Sequence, residues 1–183
     1  DKKPVGKRVA VIGAGGIGFD LSEFLLHDPA VPLPITVRQW HEEWGVDTSN
    51  RTVGGLVEPH QGEPLRQIWL LQRKTTKVGA GLGKTSGWVH RAVMQKNGVQ
   101  MMSGVEYKAI SDDGLLIAID GKEQLLPVDT VVICAGQESL KDIMPPEGTS
   151  TRAKFHLIGG AALASELDAK RAIREGAELA AGL

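Results

Sequence analysis

The run "GAGGIG", Gly13 to Gly18, constrains this chain more than any other stretch. It follows the apolar residues Val9, Val11 and Ile12 and precedes Leu21, Phe24 and Leu25. A strand covered on both faces reads as a continuous apolar run, and recurrence at helical spacing marks the helix behind it. Strand, glycine turn and helix together are the context in which a G-x-G-x-x-G match carries weight. In that template Gly13 makes the tight turn, Gly15 lets a pyrophosphate approach the backbone, and Gly18 lets the helix close on the strand. Ala14, Gly16 and Ile17 complete the loop, whose N–H groups and positive helix end favour phosphate. The pattern predicts a strand over 8–12, a helix from about 16 to 27 with Ile17, Leu21, Phe24 and Leu25 on its apolar stripe, and dinucleotide binding. The bland alternative is a tight structural turn with no ligand.

The next strand's tip selects the nucleotide, because an acidic residue about 20 positions on accepts from a ribose 2′-OH in the NAD form of this unit. Two stretches compete. "ITVRQ" closely follows the first helix and ends in Arg38-Gln39; "IWLLQRK" is displaced and ends in Arg73-Lys74. The second, read as a strand over 67–72, is the better one, with four apolar residues in a row. Neither ends in a carboxylate. Arg73 and Lys74 suit a 2′-phosphate that an Asp would repel, which favours NADPH. A solvated pair of strand-end cations is the competing reading.

Between the two strands, Val31 to Arg66 is an irregular excursion rich in Gly, Pro and polar residues, with a short helix expected around 39–44. After the second strand, "GAGLGKTSGW" imitates an ATP-binding loop. That template requires Gly at the position held by Val78; Gly79 is one residue too close. A flexible loop flanking the cofactor, with Lys84 near its phosphates or ribose, fits better. A helix over 84–96 follows, then short strands over 99–102, 105–110, 115–119, 123–126 and 129–134, with turns at "SDDG" and "DGKE". A last strand, "FHLIGG", leads into a helix over 164–181.

Other classes are disfavoured. A net charge of −1 and 4% aromatic residues give no electrostatic or stacking case for nucleic acid, nor for an anionic membrane. No apolar run approaches the roughly 20 residues of a membrane span. Cys134, the one cysteine, sits in "DTVVICAG" as an inert thiol, which fits a reducing, cytoplasmic setting. The 5 histidines have no metal-ligand spacing. His90 and the acidic pairs Glu42-Glu43 and Asp112-Asp113 read as structural or surface groups. Asp1 stands where Met opens a reading frame, so a piece of a longer chain is expected.

"VAVIGAGGIGFD", "EEWGVD", "LLQRKTTKVGAGLGKTSGWVHR", "VVICAGQE" and "HLIGGAALASELDAKRAI" resemble the C-terminal part of the bacterial type of NADPH-dependent 2,4-dienoyl-CoA reductase, across nearly all of the sequence. The resemblance implies a flavoprotein oxidoreductase of disulfide-reductase type. Residues 7–137 would be its Rossmann-like NADPH lobe, interrupted by the excursion 31–66, with a β-meander after Val99 in place of a crossover helix. Residues 138–154 would be a linker, and 155–183 the closing strand-helix segment of an FAD lobe. Ala135, Gly136 and Gln137 would line the cofactor, and Gly159, Gly160 and Asp168 would meet FAD in an incomplete site. Many relatives carry an Asp facing the flavin where this chain has Ala161-Ala162, which removes that contact. The rest of the FAD lobe, with an FMN barrel and a 4Fe–4S cluster, would lie upstream in the parent chain. No catalytic side chain is implied here, and this piece alone would be inactive. A related alternative is the ADP-binding, non-catalytic lobe of trimethylamine dehydrogenase-like enzymes.

Overall fold

The computed structural model describes residues 3–28, 30, 36–60, 62–146, 148–164 and 168–183. It forms two compact units, Asp1–Ala135 and Gly136–Leu183.

Unit 1 is built on a four-stranded parallel sheet in the order β3-β2-β1-β7, made of β1 (Arg8–Ile12), β2 (Gln67–Leu71), β3 (Gln100–Met102) and β7 (Thr130–Ile133). Alternation along the central strands divides the core. Val9, Val11, Ile68 and Leu70 pack with Phe19 and Leu25 of α1 (Gly16–Leu26) and Met94 of α3 (Gly87–Lys96). Ala10, Ile12, Trp69 and Leu71 turn to the opposite face and pack with Leu115, Ile117 and Leu126. Those last three belong to an antiparallel meander of β4 (Glu106–Ser111), β5 (Gly114–Ile119) and β6 (Lys122–Leu126). A sheet covered on both faces needs the unbroken apolar strands seen in β1 and β2.

Several expectations are corrected. The strand near 99–102 pairs in parallel with β2, Trp69 opposite Gln100, and so closes the edge of the main sheet instead of opening the meander. "ITVRQ" is no strand: Val37 begins helix α2 (Val37–Trp44), where Thr36 and Gln39 form a reciprocal capping box. Ile35 of that stretch lies outside the described residues. Helix α3 starts at Gly87, not at Lys84, because "GKTS" folds as a turn in which the Gly87 amide bonds the Gly83 carbonyl. On α1 the buried face is Gly18, Phe19, Ser22, Leu25 and Leu26, whereas Ile17 and Phe24 are 56% and 72% exposed. A glycine and a serine occupy the face that comes closest to the sheet, so the apolar stripe alone misjudged it.

Within the excursion, one carboxylate holds the turn over 47–52. Asp47 accepts from the Ser49 amide and hydroxyl, the Arg51 amide, and the Thr52 amide and hydroxyl, beneath a Val46–Leu56 bridge. The Ser49 and Thr52 hydroxyls lead in holding its pKa well below the carboxylate range. A depressed pKa contributes stability that is present above about pH 4 and lost as pH falls toward the folded value. Asp47→Asn turns an NH2 toward one of those sets of donors. Amide exchange at Arg51 and Thr52 is therefore expected to accelerate by about tenfold or more, with exchange at β1 unchanged.

Unit 2 contains a short helix, α4 (Gly159–Ala162), and α5 (Ala169–Gly182), N-capped by Asp168, whose carboxylate accepts from the Arg171 amide. The strand expected over 155–160 is absent from the described residues; Ile158 is extended and Gly159 begins α4. A strand needs a neighbour to take its N–H and C=O groups, and unit 2 has none among its described residues. The helix expected from 164 begins at Ala169; residues 165–167, including Glu166 and Leu167, lie outside the described residues.

Candidate functional site

The glycine turn is shaped by three different demands. Gly13 has φ +111°, and a Cβ there would lie 2.7 Å from the Cys134 carbonyl oxygen. Gly18 would place a Cβ 1.8 Å from the Gly13 carbonyl oxygen. Both are fixed by the protein's own packing. Gly15 is different: it has φ −85° and ψ −172°, which any residue adopts, and a Cβ on it meets nothing within 4 Å. Gly16 is equally open. Gly15 N-caps α1 without any side-chain hydrogen bond, and Gly15, Gly16 and Ile17 are all exposed. The first turn of α1 is therefore uncovered at its N-terminus, where a helix has unpaired amides.

Beside this glycine mouth stands the tip of β2. β1 and β2 run in parallel with Ile12 opposite Leu71, so Gly13–Gly15 and Gln72–Lys74 leave the same edge of the sheet on neighbouring strands. Arg73 and Lys74 are exposed and, among the described residues, form no ion pair. Burial raises the pKa of Tyr107 on β4, and the charge of Arg73 opposes that shift, which places the guanidinium within electrostatic reach of the ring. Lys84 is exposed in the turn before α3. Sequence reading passed over Gln72, whose side-chain amide bonds the carbonyls of Lys74 and Thr76; its position directly behind the strand was the available signal.

Two of the ATPase-like glycines, Gly79 and Gly87, have packing reasons. A Cβ on Gly79 (φ +75°) would strike Phe19 of α1 at 2.7 Å, and one on Gly87 would strike Leu82 at 2.7 Å. His90 Nδ1 stands 3.4 Å from Glu23 Oε2 and links α3 to α1, as a structural histidine does. Cys134 is half-buried, and burial raises its pKa, so the unreactive thiol predominates at neutral pH. An open groove of about 620 Å³ lies in the excursion, lined by Val37, His41, Val57 and His60 among others; it includes neither the glycine mouth nor the cation pair.

Ala135 ends unit 1, and Gly136 and Gln137 begin unit 2. In unit 2 the Gly159 amide donates to Glu175 and the Asp168 carboxylate caps α5, so two of the three groups expected to meet FAD are engaged within the unit. Among the described residues no His, Cys, Asp and Glu group could hold a metal ion, and no helix is long and apolar enough to cross a membrane.

The parallel sheet, glycine turn and meander crossover make unit 1 a Rossmann-like α/β domain. Residues 1–154 match the family model of pyridine nucleotide-disulphide oxidoreductases, and the chain belongs to that family, whose members bind FAD and NAD(P)H. Among solved structures, a 2-naphthoyl-CoA reductase in complex with 2-naphthoyl-CoA superposes with TM-score 0.62 at 19% identity, over 96% of this chain and 21% of its own. Bacillithiol disulfide reductases from Bacillus cereus and Staphylococcus aureus match 73% of this chain and 30% of theirs, at 16% and 12% identity and TM-scores of 0.45 and 0.46. The chain thus spans about a fifth to a third of the length of these proteins.

Proposed function

We propose that unit 1 is the NADPH-docking lobe of a flavin-dependent acyl-CoA reductase of the 2,4-dienoyl-CoA type. The observation that carries the reading is the pairing, on adjacent parallel strands, of an open glycine mouth with two cations that have no carboxylate partner among the described residues. Amides of Gly15, Gly16 and Ile17 hold the pyrophosphate, and Arg73 and Lys74 hold the 2′-phosphate. Lys84 faces the phosphates or ribose from the turn before α3. NADPH bound here supplies hydride to a flavin; the residues of this chain bind and orient it. FAD, an FMN barrel and a 4Fe–4S cluster belong, in this reading, to the remainder of a parent chain, consistent with the small fraction that this sequence covers of the naphthoyl-CoA reductase. That neighbour's own substrate is an acyl thioester, which supports the substrate class.

Titration calorimetry with NADPH, NADH and ADP tests the assignment. NADPH is expected to bind tightest; equal affinity for all three overturns it and leaves an ADP-binding, non-catalytic lobe. Arg73→Ala is expected to weaken NADPH by about 1–3 kcal/mol, the worth of a charged hydrogen bond, and to spare NADH. Equal losses on both would remove Arg73 as the selector.

A further inference from the structure

We propose that Gln72 is a positioning residue that sets nucleotide preference without touching the nucleotide. The inference rests on the NADPH reading above. Gln72 leaves β2 with its backbone clamped: its amide donates to the Met102 carbonyl at 3.0 Å, and its carbonyl accepts from the Val105 amide at 3.0 Å. Its side-chain Nε2 then donates to the Lys74 carbonyl at 2.9 Å and the Thr76 carbonyl at 2.6 Å. Both N–H donors of the carboxamide are thereby spent inside the turn that carries the cations. The Lys74 carbonyl also accepts from the Gly104 amide at 3.0 Å, with Gly104 in the left-handed region at φ +68°.

The physical consequence concerns the start of two long side chains. Arg73 and Lys74 are exposed and form no ion pair among the described residues, so the backbone of the turn sets where both side chains start. A turn locked at two carbonyls holds both Cα–Cβ bonds in place beside the glycine mouth, and ordering done before binding is not charged against affinity afterwards. Gln72 therefore raises affinity for the one ligand group the cations meet, a phosphate on the adenosine ribose, and leaves the rest of the nucleotide unaffected.

The test uses the 183-residue chain with 2′,5′-ADP and 5′-ADP, whose comparison isolates the 2′-phosphate. Gln72→Leu removes the donors at similar volume. It is expected to weaken 2′,5′-ADP about tenfold, the scale of one charge-assisted bond, and to hold 5′-ADP within about twofold. Gln72→Asn keeps an NH2 on a shorter stem and is expected to restore part of the preference. Equal loss on both ligands, or no loss on either, overturns the proposal. If Gln72→Leu is too unstable to titrate, Gln72→Ser supplies the same comparison. Arg73→Ala, run in parallel, separates the two failures. If Arg73→Ala abolishes the preference while Gln72→Leu does not, only the positioning role fails. If the wild-type chain shows no preference, the NADPH reading fails with it.

Discussion

Gly18→Ala is expected to lower the melting temperature of unit 1 by on the order of 10 °C, a net loss of about 3 kcal/mol. Two effects oppose each other. Alanine is the better helix former by about 1 kcal/mol, and Gly18 lies on α1 in an ordinary helical position. Against this, its Cβ would lie 1.8 Å from the Gly13 carbonyl oxygen and 3.4 Å from a Leu70 methyl. The Gly13 backbone cannot rotate away as a flexible side chain can, so α1 must lift off the sheet. Lifting it loosens Phe19 and Leu25 in the core and the Ser22 hydroxyl bonded to the Gly18 carbonyl at 2.7 Å. Overpacking of this kind costs about 1–3 kcal/mol where side chains can give, and more where backbone must move. Differential scanning calorimetry decides it: an unchanged or raised melting temperature means that helix and strand do not approach as closely as described.

The contrast between legible and illegible parts of this chain follows the range of the interactions. β1, the glycine turn and the start of α1 were readable because their signals lie within a dozen consecutive residues. The strand of β2 and its cationic tip were readable for the same reason. The buried face of α1 was not: Phe19, Ser22 and Leu26 are buried while Ile17 and Phe24 are exposed, an outcome fixed by how far Gly18 lets the helix sink. Membership of β3 in the main sheet was hidden because parallel pairing of Trp69 with Gln100 spans distant sequence. Helicity of Lys84 to Ser86 was overestimated, since "GKTS" fits a helical pattern but spends its hydrogen bonds in a turn. The strand expected over 155–160 had the right composition and no neighbour among the described residues, and composition alone does not satisfy a backbone. At the candidate site the glycines and cations could be named in advance, whereas Gln72, whose side chain bonds the Lys74 and Thr76 carbonyls, was passed over despite its place at the strand's end.

Gly15→Val makes the opposite demand on the molecule from Gly18→Ala and is expected to leave stability within about 0.5 kcal/mol of wild type. The backbone at Gly15 is extended, a conformation that valine favours, and a Cβ there finds no atom within 4 Å. No feature of the protein's own packing requires glycine at this position. A phosphate drawn onto the first-turn amides of α1 does require it, because a branched side chain at the helix mouth would hold the anion off the N–H groups. Two charge-assisted bonds at about 1.5–3 kcal/mol each are then at stake, so NADPH and NADH should both weaken by about 3 kcal/mol or more, on the order of 100-fold. Loss on both cofactors separates this variant from Arg73→Ala, which acts on the 2′-phosphate alone. Thermal unfolding and calorimetric titration of the same preparation give the two numbers. A stable Gly15→Val chain that binds NADPH as wild type does would mean that the pyrophosphate lies elsewhere, and the cations of β2 would lose the neighbour that gives them a purpose.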